Sequence, residues 1–202
     1  MGRGEVTERS DPGRFLEVLR RTVEALDRWG RPYAIFGTVG VHVYLDGAPA
    51  EDIDVFLAEE DAHGALQALV DSGFEAGERD GSWIFKAHRN GVLIDVIFWI
   101  RGRLRFDAGM ADGVRRTSYR GVDVPVPAPE DLVLIAVSAA HPESPEHWYT
   151  AARLVAEAKL DWERLVARAR QLEPLRVAGL LLYCESDGVD VPAGTVASLL
   201  PS

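Results

Sequence analysis

The sequence has very little cysteine and very little lysine. Only one of its 202 residues is a cysteine, Cys184, which excludes an internal disulfide framework and a zinc site built from several thiolates. Because Cys184 ends the apolar run AGLLLYC, it is expected to be a packed core thiol. Lysine occurs twice, at Lys86 and Lys159, so the chain has no basic tract that could follow a phosphate backbone. Nucleic acid is therefore not expected as a partner.

Acidic residues outnumber basic ones, 32 to 22, and the formal net charge is −10. An acidic surface suits a small cationic or neutral substrate better than a polyanion. One local arginine cluster, RGRLRF at 101–106, has two interpretations. It is either a solvated turn and strand edge or a local phosphate-binding cluster.

Long hydrophobic runs are missing as well. The longest, VLIDVIFWI and VAGLLLYC, are too short or too interrupted to span a bilayer, and the start MGRGEVTERSDPGRF has no signal-peptide hydrophobic region. With 47% hydrophobic and 27% charged residues, the chain has the composition of a globular protein with one full core or one domain and a smaller appendage. These features predict a cytoplasmic protein without a membrane segment.

The residues that are present suggest an α/β half followed by a helical half. Apolar spacing and glycine or proline stops predict helices at 12–29, 60–72, 129–140, 147–158, 161–171 and 174–184, strands at 33–36 and 52–57, and a short helix or turn at 38–45. Asp161 is the expected N-cap of its helix. The predicted boundary divides the chain into 1–127 and 128–202, and no pattern indicates the oligomeric state.

A β-hairpin is predicted in SWIFKAHRNGVLIDVIFW, residues 82–99. Asn90-Gly91 is a strong signal for a two-residue type I′ turn, and counting outward from it pairs Lys86 with Asp95. Asp95 lies in an otherwise apolar strand, where a carboxylate is costly to bury without a partner. That partner is either a metal ion or the ammonium of Lys86 in a structural ion pair.

A second acidic feature, Asp52-Ile53-Asp54, begins the strand DIDVFL. Side chains at i and i+2 share one face of a strand, so Asp52 and Asp54 would stand side by side and raise each other's pKa unless a cation lies between them. Hard divalent metals are the usual solution. The alternative is that both are surface residues at the start of an edge strand.

The chain carries Gly37-Thr38, a spacer of thirteen residues, Asp52-Ile53-Asp54 and, further along, Asp95. This pattern resembles the motif of the nucleotidyltransferase superfamily, which is typified by polymerase β and the small antibiotic nucleotidyltransferases. The later segments PAPEDL, HWYTAARL and LDWERL resemble the helical tail of bacterial members, so the resemblance covers most of 30–172. It implies an α+β fold, in which a polymerase β-like domain with a mixed sheet precedes a C-terminal helical bundle.

The resemblance also implies a metal-dependent activity. In such enzymes three aspartates, here Asp52, Asp54 and Asp95, bind two Mg²⁺ ions and are catalytic, and a nucleoside monophosphate passes from a nucleoside triphosphate to an acceptor hydroxyl with release of pyrophosphate. The acceptor is a small molecule or a protein. The three carboxylates are expected to converge at one end of the sheet.

The implied nucleotide-binding residues are Gly37, Thr38 and Lys86. Gly37 lets the backbone approach the phosphates, and Thr38, which replaces the Gly or Ser of the family pattern, keeps a hydroxyl for them. Lys86 is either a triphosphate ligand or the structural partner of Asp95.

Two other functions remain open at this stage. One is a non-catalytic relative that acts as a regulatory or antitoxin-type binding protein, and the other is a different metal-dependent phosphohydrolase. The spacing of His141 and His147 matches no common zinc pattern, so both are interpreted as loop residues. The tryptophans are interpreted as core or cap residues, not as a stacking platform; they are Trp83, Trp99, Trp148 and Trp162.

Overall fold

A computed structural model of the chain describes residues 12–201. Eight α-helices are described, namely α1 (Pro12–Trp29), α2 (Gly37–Val41), α3 (Ala62–Asp71), α4 (Ala108–Gly113), α5 (Pro129–Ala139), α6 (Glu146–Glu157), α7 (Trp162–Leu172) and α8 (Pro174–Ser186). The strands in these residues are β1 (Tyr33–Ile35), β2 (Asp52–Leu57), β3 (Glu75–Asp80), β4 (Ile84–Arg89), β5 (Val92–Ile97), β6 (Arg115–Tyr119) and β7 (Val122–Val126). The expected α/β half followed by a helical half is confirmed.

The main sheet is mixed and has the strand order β1-β2-β5-β4-β3. Strand β2 pairs in parallel with β5 and antiparallel with β1, and β5 also pairs antiparallel with β4. The DIDVFL strand is therefore an interior strand, so the edge-strand interpretation of its aspartates is wrong. Strands β6 and β7 form a separate hairpin.

The two faces of the sheet have different partners because side chains alternate along each strand. On β2, Ile53 and Val55 belong to the buried cluster that also contains the apolar residues of α1 and α3. Asp52 and Asp54 lie on the opposite face, together with Phe56, which packs in a second cluster with the C-terminal helices. The acidic residues thus lie on the face that meets the helical half.

The helical half contains a buried ionic cluster, which we call the Asp131 cluster. Asp131 on α5 is fully buried and accepts hydrogen bonds from Arg168, at 3.0 Å, and from Arg164. Arg168 also forms a bidentate contact, at 2.9 Å for both bonds, with Asp107. Asp107 in turn caps α4 by accepting the backbone N–H of Met110 at 2.7 Å. The cluster therefore fixes α7 against α5 and against the segment that leads into α4.

Several local predictions are confirmed. The hairpin has the expected register, with Lys86 opposite Asp95, and Asp161 caps α7 by accepting the backbone N–H of Arg164 at 3.0 Å. Cys184 is buried, 1% exposed. No helix within residues 12–201 is long and apolar enough to cross a membrane. The segment that lacks a signal-peptide pattern lies mostly outside the described residues.

Candidate active site

The aspartate triad (Asp52, Asp54 and Asp95) is assembled by the parallel pairing of β2 with β5. In this register Asp54 lies directly opposite Asp95, and Asp52 lies opposite Leu93. One carboxylate oxygen from each of the three aspartates lies within 4.8 Å of the other two. The expected convergence of the three carboxylates is therefore present, although they come from strands about forty residues apart in the chain.

The electrostatics of the triad are unfavourable when no cation is bound. Burial, followed by the charges of Asp52 and Asp95, raises the pKa of Asp54 from its ordinary 3.8 to about 7. The pKa of Asp95 is also raised, chiefly by burial, although Lys86 acts in the opposite direction. The site therefore disfavours its own charge, as expected of carboxylates arranged to receive a positive ion.

Lys86 does not supply that positive charge at close range. Its Nζ lies 3.9 Å from Asp95 Oδ1, which is too long for a hydrogen bond, and its side chain is 32% exposed. Asp95 Oδ1 is buried and has no hydrogen-bond partner among the described residues. A buried carboxylate oxygen without a partner does not fit a finished structural ion pair, and it does fit a ligand atom for a hard divalent ion such as Mg²⁺.

Gly37 lies against the triad at the start of α2. Its φ of +54° is one that residues with a Cβ rarely adopt, and a Cβ at this position would overlap Asp54 Oδ2 and lie 2.7 Å from Asp54 Cγ. The backbone before α2 is held by a hydrogen bond from the Phe36 N–H to the Asp54 carbonyl, at 3.0 Å. Glycine is thus required here because the backbone and the Asp54 carboxylate share one space.

A cleft of about 860 Å³ opens over the triad. The sheet side of the cleft contributes the triad, Gly37 and Thr38, whereas the helical half contributes residues from the α5–α6 connection and from α6. Lys86 does not line it. Of the six residues predicted to form the site, the structure therefore brings five to the cleft, and Lys86 lies beside Asp95 on the neighbouring strand without lining the cleft.

Several residues that sequence reasoning did not select also line the cleft. His42, at the end of α2, has a lowered pKa because of burial and then of nearby Arg120 and Arg153. His141 and His147 line the cleft too, but neither belongs to a group of potential metal ligands within residues 12–201. His147 lies in the first turn of α6 and not in a loop. No local motif marks these positions, because tertiary packing of the two halves creates them.

Comparison with solved structures shows the fold. The antibiotic-resistance factor ANT(2'')-Ia, in its solution structure, is 17% identical with a TM-score of 0.58 and covers 88% of this chain and 97% of its own. A crystal structure of ANT(2'')-Ia in complex with adenylyl-2''-tobramycin is 17% identical with a TM-score of 0.53, and the match covers 84% of this chain and 98% of the ANT(2'')-Ia chain. An antigenic nucleotidyltransferase-like protein from Paracoccidioides brasiliensis is 15% identical with a TM-score of 0.51, and the match covers 92% of this chain and 93% of that protein's chain. At these identities the likeness establishes a shared fold and no more.

Family membership comes from the sequence itself. No curated protein matches the chain significantly. The family described as "uncharacterised nucleotidyltransferase" matches residues 42–187, which is most of the chain and includes the whole triad. The expected superfamily is thereby confirmed, and the chain belongs to this family of nucleotidyltransferases.

Proposed function

We propose that the protein is a metal-dependent nucleotidyltransferase that moves a nucleoside monophosphate from a nucleoside triphosphate to a hydroxyl of a small molecule or protein. The observation that supports this best is the triad, in which Asp95 Oδ1 is buried without a hydrogen-bond partner and Asp54 has a raised pKa. Family membership supports the reaction class. A cytoplasmic location, where nucleoside triphosphates and Mg²⁺ are available, is part of the proposal.

The triad would hold Mg²⁺, most simply two ions. When bound, divalent ions neutralise triphosphate charge and lower the pKa of a coordinated hydroxyl. Asp52 and Asp54 would bind on the triphosphate side, and Asp95 on the acceptor side. Asp95 would accept the proton of the acceptor hydroxyl, or would help to hold the ion that favours its loss.

The reaction balances without further reactants. The acceptor oxygen forms a bond to the α-phosphorus, the bond from that phosphorus to the α,β-bridging oxygen breaks, and pyrophosphate leaves. Gly37 and Thr38 begin a helix whose first backbone N–H groups have no intrahelical acceptor and are available to phosphate oxygens. Lys86, opposite Asp95 but outside the cleft, would tune the charge of Asp95 more readily than it would bind triphosphate directly.

We further propose that the junction of the nucleotidyltransferase-type half and the helical half lies at residues 127/128. Both halves line the cleft, so the helical half would contribute to the acceptor or nucleotide contacts.

Binding of Mg²⁺ with ATP should raise the melting temperature of the wild-type protein. A ligand that binds only the native state, at about 100 times its Kd, stabilises it by about 2.7 kcal/mol, which corresponds to about 5 °C or more for a chain of this size. Asp54→Asn should abolish the rise because it removes a central ligand. The measurement is a thermal melt with ATP, Mg²⁺ and both together. An equal rise in wild type and variant would place the nucleotide elsewhere.

Alanine at Gly37 should impair the same response. Gly37→Ala forces a Cβ into the Asp54 carboxylate, so the Mg²⁺·ATP-induced rise should be lost. Gly121→Ala is the matched control, because Gly121 also has a positive φ, +84°, but nothing lies within 4 Å of a Cβ there. Both variants should lose about 1 to 2 kcal/mol of stability from the backbone alone. A retained response in Gly37→Ala would show that the approach of Gly37 to Asp54 is not needed for nucleotide binding.

The main alternative is a non-catalytic binding protein with a nucleotidyltransferase fold. The intact triad speaks against it, because a site that no longer binds metal would gain stability by losing a buried carboxylate oxygen without a hydrogen bond and a carboxyl group with a raised pKa. Absence of any Mg²⁺-dependent nucleotide response in the wild type would favour the alternative.

A further inference from the structure

Two tryptophans line the cleft beside the triad. Trp83 immediately precedes β4, and Trp99 follows β5, so both lie at the same end of the β4–β5 hairpin. The Trp83 carbonyl accepts the backbone N–H groups of Phe98, at 3.1 Å, and of Trp99, at 3.4 Å. The two indoles are therefore carried by adjoining backbone segments, a few ladder positions from Asp95.

Each indole is held in place by its polar N–H group. Trp83 Nε1 donates to Asp80 Oδ2 at 2.9 Å, and Trp99 Nε1 donates to Glu59 Oε2 at 2.9 Å. The guanidinium of Arg105 lies 3.5 Å from the ring centroid of Trp99 and 3.3 Å from Glu59, which fixes that ring further. Both N–H groups are therefore already bonded, and Trp99 also packs against the buried cluster that contains α1 and α3, so Trp83 is the more exposed of the two indoles in the cleft wall.

Packing of a core does not account for Trp83. Its side chain is 42% exposed and it belongs to neither buried cluster, so of the two expected roles, core or cap residue, the core role is wrong for Trp83. A rigid, partly exposed indole in the wall of a cleft is typical of a ligand contact. Flat rings stack on indole faces, and the interaction tolerates many ring systems because each of them has a π-face.

The remaining charges in the cleft exclude one class of ligand. Apart from the triad, Glu146 is the one carboxylate among the described residues that line the cleft, and its side chain is 68% exposed. Arg101 and Arg153 line the same cleft, and Arg153 is paired with Glu157 at 2.8 Å. Once metal ions neutralise the triad, the cleft offers a ligand with several ammonium groups only cations and a single exposed carboxylate. Ammonium groups that become buried need close anionic partners, and the cleft has too few of them.

We propose that Trp83 and Trp99 form a subsite for a flat aromatic ring in a neutral or anionic ligand, and that the cleft does not take polyamine acceptors. This inference rests on the proposed function, because the ring is either the base of the nucleotide or a group of the acceptor. It also separates this chain from its structural neighbour bound to adenylyl-2''-tobramycin, since tobramycin is a polyamine.

Calorimetric titration in the presence of Mg²⁺ tests the subsite with four probes, which are ATP, inorganic tripolyphosphate, the flat aromatic alcohol 4-methylumbelliferone, and tobramycin. Trp83→Ala and Trp99→Ala should each weaken the binding of ATP or of 4-methylumbelliferone by about tenfold. The affinity for tripolyphosphate should change by less than about twofold. Trp83→Phe should restore most of the affinity because it keeps a ring. Tyr149→Ala is the control, because Tyr149 is 61% exposed and does not line the cleft.

The outcomes distinguish the source of the ring. Loss of ATP affinity alone assigns the subsite to the base, and loss of 4-methylumbelliferone affinity assigns it to the acceptor; either result supports the proposal. Unchanged binding of both probes in both alanine variants would overturn it, as would tobramycin binding with a Kd well below about 1 mM. Failure of tripolyphosphate to bind the wild type would instead refute the proposed function.

Discussion

Asp54→Asn is expected to stabilise the metal-free protein at pH 8 by about 2 to 4 kcal/mol. The pKa of Asp54 is raised from 3.8 to about 7 in the folded state, and one pKa unit corresponds to about 1.4 kcal/mol. The raised pKa therefore corresponds to at most about 4 kcal/mol of lost folding stability when Asp54 is charged. Because the side chain is partly exposed, solvent screening makes the actual loss smaller. Because the neutral amide has no charge to bury, the variant avoids this cost, while nucleotidyl transfer should fall by orders of magnitude.

The effect should depend on pH in a defined direction. A raised carboxyl pKa means that the folded state binds the proton more tightly, so this contribution favours folding most below about pH 4 and is lost as the pH rises from about 4 to about 7. The advantage of Asp54→Asn over wild type should therefore shrink by more than half between pH 8 and pH 5. Urea unfolding with a chelator at both pH values measures it.

The control for this result is Asp112→Asn, which removes one carboxylate from an exposed position on α4. It should change stability by less than about 0.5 kcal/mol at either pH. A loss of stability in Asp54→Asn at pH 8 would show that Asp54 is a structural carboxylate with partners that the triad geometry does not explain.

Asp131→Ala is expected to destabilise the protein by about 3 to 5 kcal/mol. Asp131 is fully buried, and its removal leaves the guanidinium of Arg168, itself 7% exposed, without one of its two carboxylate partners. Removing one carboxylate partner of a buried charge costs far more than losing a surface pair. Thermal and urea unfolding measure the loss, which should be independent of Mg²⁺ and nucleotide.

Glu24→Ala provides the matched comparison. Glu24 pairs with Arg21 at 3.9 Å on the exposed surface of α1, where both side chains are at least half exposed. Such pairs contribute at most about 1 kcal/mol, so the change should be within about 0.5 kcal/mol. Similar losses in Glu24→Ala and Asp131→Ala would contradict the interpretation that the Asp131 cluster fixes α7 against α5.

Local signals in the sequence predicted much of the fold. The Asn90-Gly91 turn has the positive φ values that a type I′ turn requires, +51° and +76°, and it fixed the pairing of Lys86 with Asp95 by counting alone. The N-cap at Asp161 was equally local. These features depend on neighbours in the sequence, so a single chain is enough to find them.

Strands β3, β6 and β7 were not predicted, and the sequences of β3 and β7 conflict with strand propensity. Strand β7 contains Pro125, which has no N–H to donate, but a two-stranded hairpin with one unpaired edge tolerates it. Strand β3 has the sequence EAGERD, which is almost entirely polar because it lies at the edge of the sheet and is exposed along most of its length. Tertiary pairing overrides composition in both cases.

The site was partly predictable for a related reason. The side-by-side arrangement of Asp52 and Asp54 follows from strand periodicity, whereas the placement of Asp54 opposite Asp95 requires the parallel pairing of β2 with β5, which no local signal specifies. The cleft residues His42 and Trp83 could not be found in this way, because the packing of distant segments makes them neighbours of the triad.

The central claim, that the triad binds divalent metal for nucleotide chemistry, is tested most directly by counting bound ions. Mn²⁺, which substitutes for Mg²⁺ and is paramagnetic, can be titrated into the protein with a non-hydrolysable ATP analogue while the free ion is measured by electron paramagnetic resonance. About two bound ions per chain are expected in the wild type with nucleotide, and fewer ions with much weaker affinity are expected in Asp54→Asn. Equal Mn²⁺ binding by the two proteins would contradict it.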